Sequence, residues 1–466
     1  MSPSAGQRRA NEGIKWAEAQ LGGRIIRKEC QERWRPMWFL DIQKPDGEVV
    51  EVVLRGFRNP GYMDEAHSRL NLEREAGTYR ALQGTGVKTP RFYGFEGRSG
   101  WLLMERIQGG HELSKLTDTS LQKKIFHEYI DNMVLMHKLD YRDLDLPASV
   151  IVRSGSDAGN SLKLSGPGEP ASASGSVNRP EPLFELCSWW LRSYRPPSSE
   201  RLSLCMADMG SEQFFFRDGK FVAMFDIETA CISDPLLDAC SMRNRDLCWP
   251  VPDLPEYVRY WAKGMGRELD RASVTYWTLA CLFPMLIPLY HPIENPDARF
   301  PADVFQLFLS DPHHRRGSVE ALAEFYGITL SPPPRPNVAR DRLTALSELI
   351  GPQIRMVHIP NVEGETKYQL ACTAALAESA SLRQAMWPEI LHQTIGNIAE
   401  ILGRTPPSLD AGFEALQERI RCDPESDLHR IIPLLHHFEV QREYLFEPVK
   451  ALADYACNYP LQRLWN

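Results

Sequence analysis

Three acidic side chains, Asp208, Asp226 and Glu228, have types and spacings that suit the chemistry of phosphate groups. Asp208 follows a short apolar run, whereas Asp226 and Glu228 follow a second apolar run that ends a predicted hairpin. The pair Asp218-Gly219 predicts the tight turn of that hairpin, because these residue types accept positive φ angles. A hairpin can bring carboxylates at its open end close together in space. Mg²⁺ is usually bound by one or two carboxylates together with substrate phosphates, so the segment is suited to such a site.

The order of these residues resembles the catalytic core of the aminoglycoside phosphotransferase family, whose members are relatives of the protein kinases. The usual pattern of that family is His-Gly-Asp, then Asn, a hairpin, Asp-x-Glu, and Gly-Asp-Pro followed by another Asp. The corresponding segments here, with the spacing kept, are Met206-Ala207-Asp208, Gln213, Asp226-Ile227-Glu228, Ser233-Asp234-Pro235 and Asp238. The resemblance covers roughly residues 20 to 330. It implies an α+β, bilobal, protein-kinase-like fold with a small β-rich N-terminal lobe and a helical C-terminal lobe.

The resemblance also implies a role for each of the matched residues. Asp208 takes the place of the catalytic base that accepts the proton of the acceptor hydroxyl, and Asp226 takes the place of a metal ligand. Gln213 occupies the position of the other metal ligand, and Glu228 belongs to the same predicted metal group. The implied cofactors are ATP, or another nucleoside triphosphate, and Mg²⁺, with a small molecule as the acceptor. His137, at a helix end that matches the family's Leu-His-x-Leu-Asp pattern, is expected to pack rather than to catalyse.

Two departures from the family pattern leave the activity open. Met206 replaces a His that normally braces the catalytic loop, and Gln213 is one methylene longer than the usual Asn. The longer side chain moves the amide oxygen by about 1.5 Å, one bond length. One hypothesis is an ATP- and Mg²⁺-dependent kinase of a small-molecule hydroxyl. The alternative is a catalytically inactive kinase-fold protein that binds a nucleotide or a protein partner.

Four residues of the N-terminal lobe are expected to bind the nucleotide. Arg55 ends a predicted strand where kinases carry the lysine that pairs the α- and β-phosphates, and Glu75 lies on the helix that normally pairs this cation. Met104 and Glu105 end a strand that resembles the hinge, whose exposed backbone meets the adenine. The alternatives are a solvated arginine and an exposed helix glutamate. Arginine at this position, together with the phrase Gly266–Asp270, resembles the kinase domains fused to acyl-CoA dehydrogenases.

Composition and linkers predict three parts. Residues 13–108 form the N-lobe and residues 109–330 the C-lobe, whose segment 154–179 is rich in Gly, Ser and Pro and is expected to be a disordered insert. The proline-rich stretch 331–336 predicts a stiff linker. Residues 337–466 carry helical periodicity and no family motif, which predicts a helical C-terminal domain for packing, dimerisation or docking of a protein partner.

Bulk properties restrict the class of protein. The chain has 466 residues and a net charge of −8, which argues against a nucleic-acid scaffold. It contains no apolar run of membrane-spanning length, and its N-terminus lacks the apolar core of a signal peptide. The ten cysteines form no CxxC pair. These features together predict a cytoplasmic protein that contacts neither a membrane nor a nucleic acid.

Overall fold

A computed structural model describes most of the chain. The described residues are 5–31, 35–56, 65–153, 179–196, 202–297, 299, 301–338 and 342–465. The insert predicted at 154–179 lies outside this part of the chain, except for its last residue.

The N-terminal lobe is built on an antiparallel sheet of five strands within the described residues, in the order β1-β2-β3-β5-β4. The strands are β1 (Arg24–Cys30), β2 (Met37–Gln43), β3 (Val49–Gly56), β4 (Phe92–Glu96) and β5 (Trp101–Glu105). Helix α1 (Ala5–Leu21) packs on one face and α2 (Glu65–Leu82) lies on the other. Leu72, Ala76 and Tyr79 recur at helical spacing along α2 and are all buried, as the sequence pattern predicts.

The C-terminal lobe combines helices with short strands that carry the predicted motifs. Its helices are α3 (Thr119–Lys138), α4 (Pro182–Ser193), α5 (Leu236–Asp246), α6 (Leu254–Met265), α7 (Arg271–Glu294) and α8 (Pro301–Phe325). Its strands are β6 (Val152–Arg153), β7 (Ser203–Cys205), β8 (Phe214–Arg217), β9 (Lys220–Met224) and β10 (Cys231–Ser233). β8 and β9 form the predicted hairpin, and Asp218 and Gly219 at its turn have φ angles of 50° and 69°.

The last third is helical. Its helices are α9 (Arg342–Ser347), α10 (Ile350–Gln353), α11 (Gly364–Leu402), α12 (Leu409–Cys422), α13 (Leu428–Tyr444) and α14 (Glu447–Ala453). The sequence pattern predicts two helices at residues 368–379 and 387–402, but the structure has one continuous helix that runs through Pro388. The two-lobed α+β architecture followed by a helical region agrees with the predicted fold class.

The helical region packs against the C-terminal lobe. Leu435 of α13 and Met386 of α11 are buried in the same apolar core as Phe184 of α4 and Leu322 of α8. The predicted boundary after residue 336 stays a prediction, and the packing across it matters for the truncation experiment discussed below. No helix in the described ranges is both long and apolar enough to cross a membrane.

Candidate active site

The loop that carries Asp208 is braced from beneath by Asp238. The backbone amides of Met206 and Ala207 donate to the two carboxylate oxygens of Asp238 at 2.9 and 2.7 Å. His137 Nε2 lies 2.9 Å from the same carboxylate, and the indole N–H of Trp261 donates to His137 Nδ1 at 3.1 Å. Because Nδ1 accepts, the proton of the ring is on Nε2 and points at Asp238. His137 is therefore a fully buried support of the loop, which is the packing role that the sequence predicts.

Asp208 is held by two neighbours. Arg245, near the end of α5, approaches side-on, with Nε donating to Oδ1 at 2.7 Å and a terminal nitrogen donating to Oδ2. The amide nitrogen of Gln213 donates to Oδ2 at 3.0 Å. The predicted second metal ligand thus directs its N–H group at the predicted base. Burial lowers the pKa of Arg245, but Asp208 more than reverses this effect, so the pKa of the guanidinium is raised and it stays charged.

The end of the hairpin brings three carboxylates together. Oxygen atoms of Glu75, Asp226 and Glu228 all lie within 4.8 Å of one another. Asp226 has a φ of 64°, and its amide donates to the hydroxyl of Tyr79 at 3.1 Å, which fixes this strained turn against α2. Arg55 lies among the three acids, with its Nε 3.3 Å from Glu75 Oε2, and it pairs directly with Asp226. The structure therefore brings Arg55 and Glu75 together, as predicted.

The net pKa shifts of Asp226 and Glu75 in this cluster have opposite signs, although burial raises and Arg55 lowers the pKa of both. Burial raises the pKa of Asp226, but the adjacent Arg55 outweighs burial and the net pKa is lowered. Burial raises the pKa of Glu75 to about 7, with Arg55 only partly opposing it. Both carboxylate oxygens of Glu75 are buried and accept no hydrogen bond from the described residues. Glu75, with its raised pKa, thus holds a proton near neutral pH more easily than Asp226, whose pKa is lowered.

The oxygen donors of this cluster fit the chemistry of Mg²⁺. Asp226 is the acid of the three that lines the cavity between the lobes, with 27% of its side chain exposed. Its Oδ1 accepts from Arg55, which leaves Oδ2 as a carboxylate oxygen for a hard cation. Gln213 lines the same cavity and Glu228 lies behind Asp226. Asp226 is therefore the residue of this cluster that could hold the ion, and the metal-binding roles of Gln213 and Glu228 stay predictions.

A cavity of about 520 Å³ lies between the two lobes. Its apolar walls come from Met37, Phe39, Val53, Met104, Ile107, Phe215 and Phe225. Met104 and Glu105 line it at the end of β5, and the amide of Glu105 donates to the carbonyl of Arg91 at 2.8 Å. The carboxylate of Glu105 accepts from the amide of Arg91 at 3.1 Å, so its side chain supports the neighbouring strand. The apolar walls suit a planar base held between side chains.

Among the described cavity residues that escape the sequence analysis, four have contacts that bear on the site. Arg35 pairs with Glu228, Arg245 pairs with Asp208, Trp249 lies under Arg245 with the guanidinium carbon 5.3 Å from the ring, and Asp454 comes from the helical C-terminal region. Of these four residues, only Arg245 has a spacing in the sequence that could have indicated it. It follows Asp238 by seven residues on one helix, which places both on the same face. Nothing in the local sequence links Arg35 or Asp454 to the motifs.

The two lobes, the braced loop and the acidic hairpin end define a kinase-like fold, as the sequence predicts. Residues 42–274 match the phosphotransferase enzyme family (APH), which is half of the chain, and the protein therefore belongs to that family. No curated protein matches the sequence.

Solved structures of phosphotransferases are similar to this chain at low identity. Macrolide 2'-phosphotransferase MphH from Brachybacterium faecium is 16% identical, with 64% of this chain and 98% of that chain covered and a TM-score of 0.43. A thermostable mutant of aminoglycoside phosphotransferase APH(4)-Ia is 15% identical, with 66% and 99% covered and a TM-score of 0.44. A thermostable mutant of the same enzyme in a ternary complex with ADP and hygromycin B is 13% identical, with 65% and 97% covered and a TM-score of 0.45. The family membership rests on the sequence match.

Proposed function

We propose that this protein transfers the γ-phosphate of ATP, in the presence of Mg²⁺, to a hydroxyl group of a small molecule. The observation that supports this most directly is the convergence of two loops on one cavity. Asp226 enters the cavity from the hairpin, and Asp208 is hydrogen-bonded to Gln213 and Arg245, which line it. In a family of phosphotransferases, this pairing of an acidic cation site with a braced carboxylate suits phosphoryl transfer.

The adenine end of the nucleotide is assigned to the apolar part of the cavity. Val53 and Met104 from the small lobe and Phe225 after β9 line this part, together with residues 105–109 beyond Met104. Arg55 lines the same cavity and pairs with Asp226, and its charge there suits the phosphates. Mg²⁺, when bound, would neutralise charge on these phosphates.

The chemical step assigned to the chain is a proton transfer. Asp208 accepts the proton of the acceptor hydroxyl as that oxygen forms a bond to the γ-phosphorus, and the bond from the γ-phosphorus to the β–γ bridging oxygen breaks to release ADP. Asp238 and Gln213 keep the carboxylate in place. In the absence of an acceptor, water takes the place of the hydroxyl and the reaction is slow hydrolysis of ATP.

Two substitutions test this assignment because one is expected to impair turnover alone and the other to impair nucleotide binding as well. Asp208→Asn removes the proton acceptor, so hydrolysis should fall on the order of 10²–10⁴-fold while Mg²⁺-dependent binding of ATP persists. Asp226→Asn removes the charge that attracts the ion, so Mg²⁺-dependent affinity for ATP should fall as well. Calorimetry with and without Mg²⁺ measures binding, and release of ADP measures turnover. Asp297→Asn, which alters an exposed Asp–Arg pair outside the cavity, serves as the control.

A catalytically inactive nucleotide- or partner-binding protein is the second candidate. Two contacts favour it: Gln213 donates to the predicted base, and Arg55 pairs with Asp226. Wild-type hydrolysis no faster than that of Asp208→Asn, together with an absence of Mg²⁺-dependent binding, would establish this candidate in place of the kinase.

The finer predictions from the sequence remain proposals. Membership of the acyl-CoA-dehydrogenase-associated subset rests on Arg55 and on the phrase Gly266–Asp270. In the structure Gly266 ends α6 with a φ of 64°, and Asp270 accepts from the amide of Ser273 at 2.7 Å at the start of α7. The local structure therefore accounts for the presence of Gly266 and Asp270 at these positions. A homodimer or a protein partner on the helical region is likewise a proposal, and size-exclusion chromatography with light scattering tests it.

A further inference from the structure

Five large apolar side chains are exposed along one short helical stretch of the C-terminal region. Residues 342–361 form α9, α10 and two further helical turns, and they are called the outer segment here. The exposed residues are Leu346, Leu349, Ile350, Met356 and Val357, each between 51% and 72% exposed. Their spacing of i, i+3, i+4, i+10 and i+11 places them along one side of a helix, and these five residues are the apolar face.

The side of the outer segment that faces the protein is polar. The hydroxyl of Ser347 lies 3.1 Å from that of Ser381 in α11, and Arg355 donates to the carboxylate of Glu378 in α11 at 2.8 and 3.0 Å. A Cβ on Gly351 would collide with the side chain of Glu378. An ordinary surface helix packs its apolar side on the core and turns its polar side to water. The outer segment is thus oriented the other way round, with its polar side inward.

The apolar face is a large patch for a single chain to leave in water. Five side chains of this size, each more than half exposed, present on the order of 500 Å² of apolar surface, near the upper end of the largest patch on a typical monomer. The other exposed large apolar residues of the described chain, such as Ile26 and Leu70, lie singly or in pairs along the sequence. A patch of this extent is typical of an interaction surface.

The spacing within the outer segment fits contact with another helix. Leu346, Leu349, Gln353 and Met356 follow one another at intervals of three, four and three residues, which is the pattern along the contact line of two packed helices. Gln353 is exposed as well. A single polar residue in an otherwise apolar contact line fixes the register of the two helices, because its polar group needs a partner on the facing helix.

We propose that the apolar face is the contact surface between two copies of this chain, joined about a two-fold axis with their outer segments side by side. A two-fold contact uses the same patch on both copies, and such dimers are the commonest soluble oligomers. Two apolar faces together bury on the order of 1,000 Å², which is the area at which specific interfaces begin. The proposal does not depend on the proposed phosphotransferase function, because no described residue of the outer segment lines the cavity.

The charges of the outer segment favour a second copy over a membrane surface. Between residues 344 and 358 the ionisable side chains are Glu348, Arg355 and His358, and Arg355 is paired with Glu378. A helix that lies on an anionic membrane instead carries many Lys and Arg residues on its polar side. Each chain has a net charge of −8, so two copies repel each other least where the local charge is close to zero.

The mass of the full chain in solution tests the proposal. Light scattering after size-exclusion chromatography, in the micromolar range, should give twice the 53.1 kDa of one chain. Leu349→Glu places like charges on both sides of the contact and should reduce the mass to that of one chain. Because Leu349 is exposed in the single chain, the variant should keep the circular dichroism spectrum of the wild type. A wild type that has the mass of one chain overturns the proposal.

Leu349→Lys separates loss of the contact from loss of the fold. Alone, it should also have the mass of one chain. In an equimolar mixture with Leu349→Glu, the two apolar faces carry opposite charges, so the association constant should be at least about tenfold higher than that of either variant alone. Equal association in the mixture and in the separate variants would mean that the substitutions act elsewhere, and it would overturn the assignment of the face.

Leu70→Glu is the matched control for these variants. Leu70 is an exposed leucine of α2, outside the apolar face. The control should keep the mass of the wild-type dimer. A dimeric Leu349→Glu, or a Leu70→Glu that dissociates to the same extent, overturns the proposal.

Cosedimentation with lipid vesicles tests the other occupants of the face. Vesicles of phosphatidylcholine, with and without phosphatidylglycerol, should leave the wild type in solution. Cosedimentation that Leu349→Glu abolishes would show that the face binds a membrane and would overturn the proposal. A wild type that has the mass of one chain and stays in solution would indicate a different protein as the partner, and it overturns the proposal as well. Failure of the phosphotransferase function is distinguishable, because it appears in the hydrolysis of ATP and leaves the mass unchanged.

Discussion

At the scale of single residues, the loop of the proposed base depends on Asp238 more than on the position where the family has its His. Met206 fills that position, is fully buried, and contributes its backbone amide rather than its side chain to the brace. The support comes from Asp238, which in turn is oriented by His137. The replacement of the family's His by Met206 therefore leaves the loop braced by backbone contacts.

Asp238→Asn is expected to loosen this loop. Asparagine keeps one acceptor oxygen, so its NH₂ group must face one of the donors that now point at Asp238, the amides of Met206 and Ala207 and the ring of His137. A buried donor without an acceptor costs about 1–3 kcal/mol. We expect a lower thermal midpoint and slower ATP hydrolysis, with nucleotide affinity less affected. Equal midpoints for Asp238→Asn and wild type would contradict the bracing role.

At the scale of elements, helix α5 carries both the residue that braces the loop and the arginine that pairs with the proposed base. Asp238 lies in its first turn, and Arg245 lies two turns later on the same face. The next residue, Asp246, ends the helix and is buried, with the amide of Val251 donating to it at 2.9 Å and Gln462 donating at 3.0 Å. The end of α5 is thus fixed from both sides, by the loop that follows it and by the C-terminal segment.

The pH dependence of stability should report on the end of α5. Burial raises the pKa of Asp246 from its ordinary value to about 7, with the Val251 amide and Gln462 opposing this. The folded state therefore binds this proton more tightly than the unfolded state. Its contribution to the free energy of unfolding is complete below about pH 4 and is lost as the pH rises to about 7, with a slope of at most about 1.4 kcal/mol per pH unit.

Asp246→Asn isolates that contribution because asparagine does not titrate. Urea denaturation measures the free energy of unfolding of both proteins. From pH 5 to pH 7 the wild type should lose stability relative to Asp246→Asn, and above that range the difference between them should stay constant. The exposed Asp140→Asn provides the control and should show a flat difference over that range. A flat difference for Asp246→Asn as well would mean that the carboxyl is ionised throughout.

The elements around the site were predictable because their signals are local. The Asp-Gly turn and the helical spacing in α2 each depend on a few neighbouring residues. The contacts that complete the site are not local, since Arg35 meets Glu228 and Asp454 meets Lys115 although each pair is far apart in the sequence. Such pairs follow from packing, and the sequence carries no periodic signal for them.

At the scale of the whole molecule, the helical C-terminal region and the kinase-like lobe share a buried network of charges. Glu443 of α13 is fully buried and accepts from Arg316 of α8 at 2.5 Å and from Lys450 of α14 at 2.8 Å. Further on, the amide of Leu464 and that of Leu461 donate to Glu324 and Glu320, which also belong to α8. Charges buried in this way require their partners.

This charge network allows a definite prediction for a chain that is shortened to end just before the proline-rich stretch 331–336. A chain that ends at Leu330 leaves Arg316 and Glu324 without their C-terminal partners and removes Asp454 and Tyr455 from the cavity side of the lobe. We expect this shortened chain to be insoluble, because it exposes both apolar core and uncompensated charge. A soluble, cooperatively folding product that binds ATP would show that residues 337–466 form an independent domain, as the composition predicts.

Glu443→Gln tests the same coupling in the full chain. The neutral amide leaves Arg316 with Glu320 alone and leaves Lys450 without its buried carboxylate, so we expect a destabilisation of about 3 kcal/mol. If the lobe and the helical region unfold as one unit, calorimetry should give a single transition that shifts as a whole to lower temperature, and ATP should raise its midpoint in both proteins. Glu418→Gln, at an exposed pair with Arg421 on α12, should leave the midpoint within about 1 °C of wild type. The contrary result is two resolved transitions, of which Glu443→Gln lowers the temperature of only the one that ATP does not affect. That result would show that the helical region unfolds independently of the site. The contact of Asp454 with the cavity would then contribute nothing to the stabilisation by nucleotide.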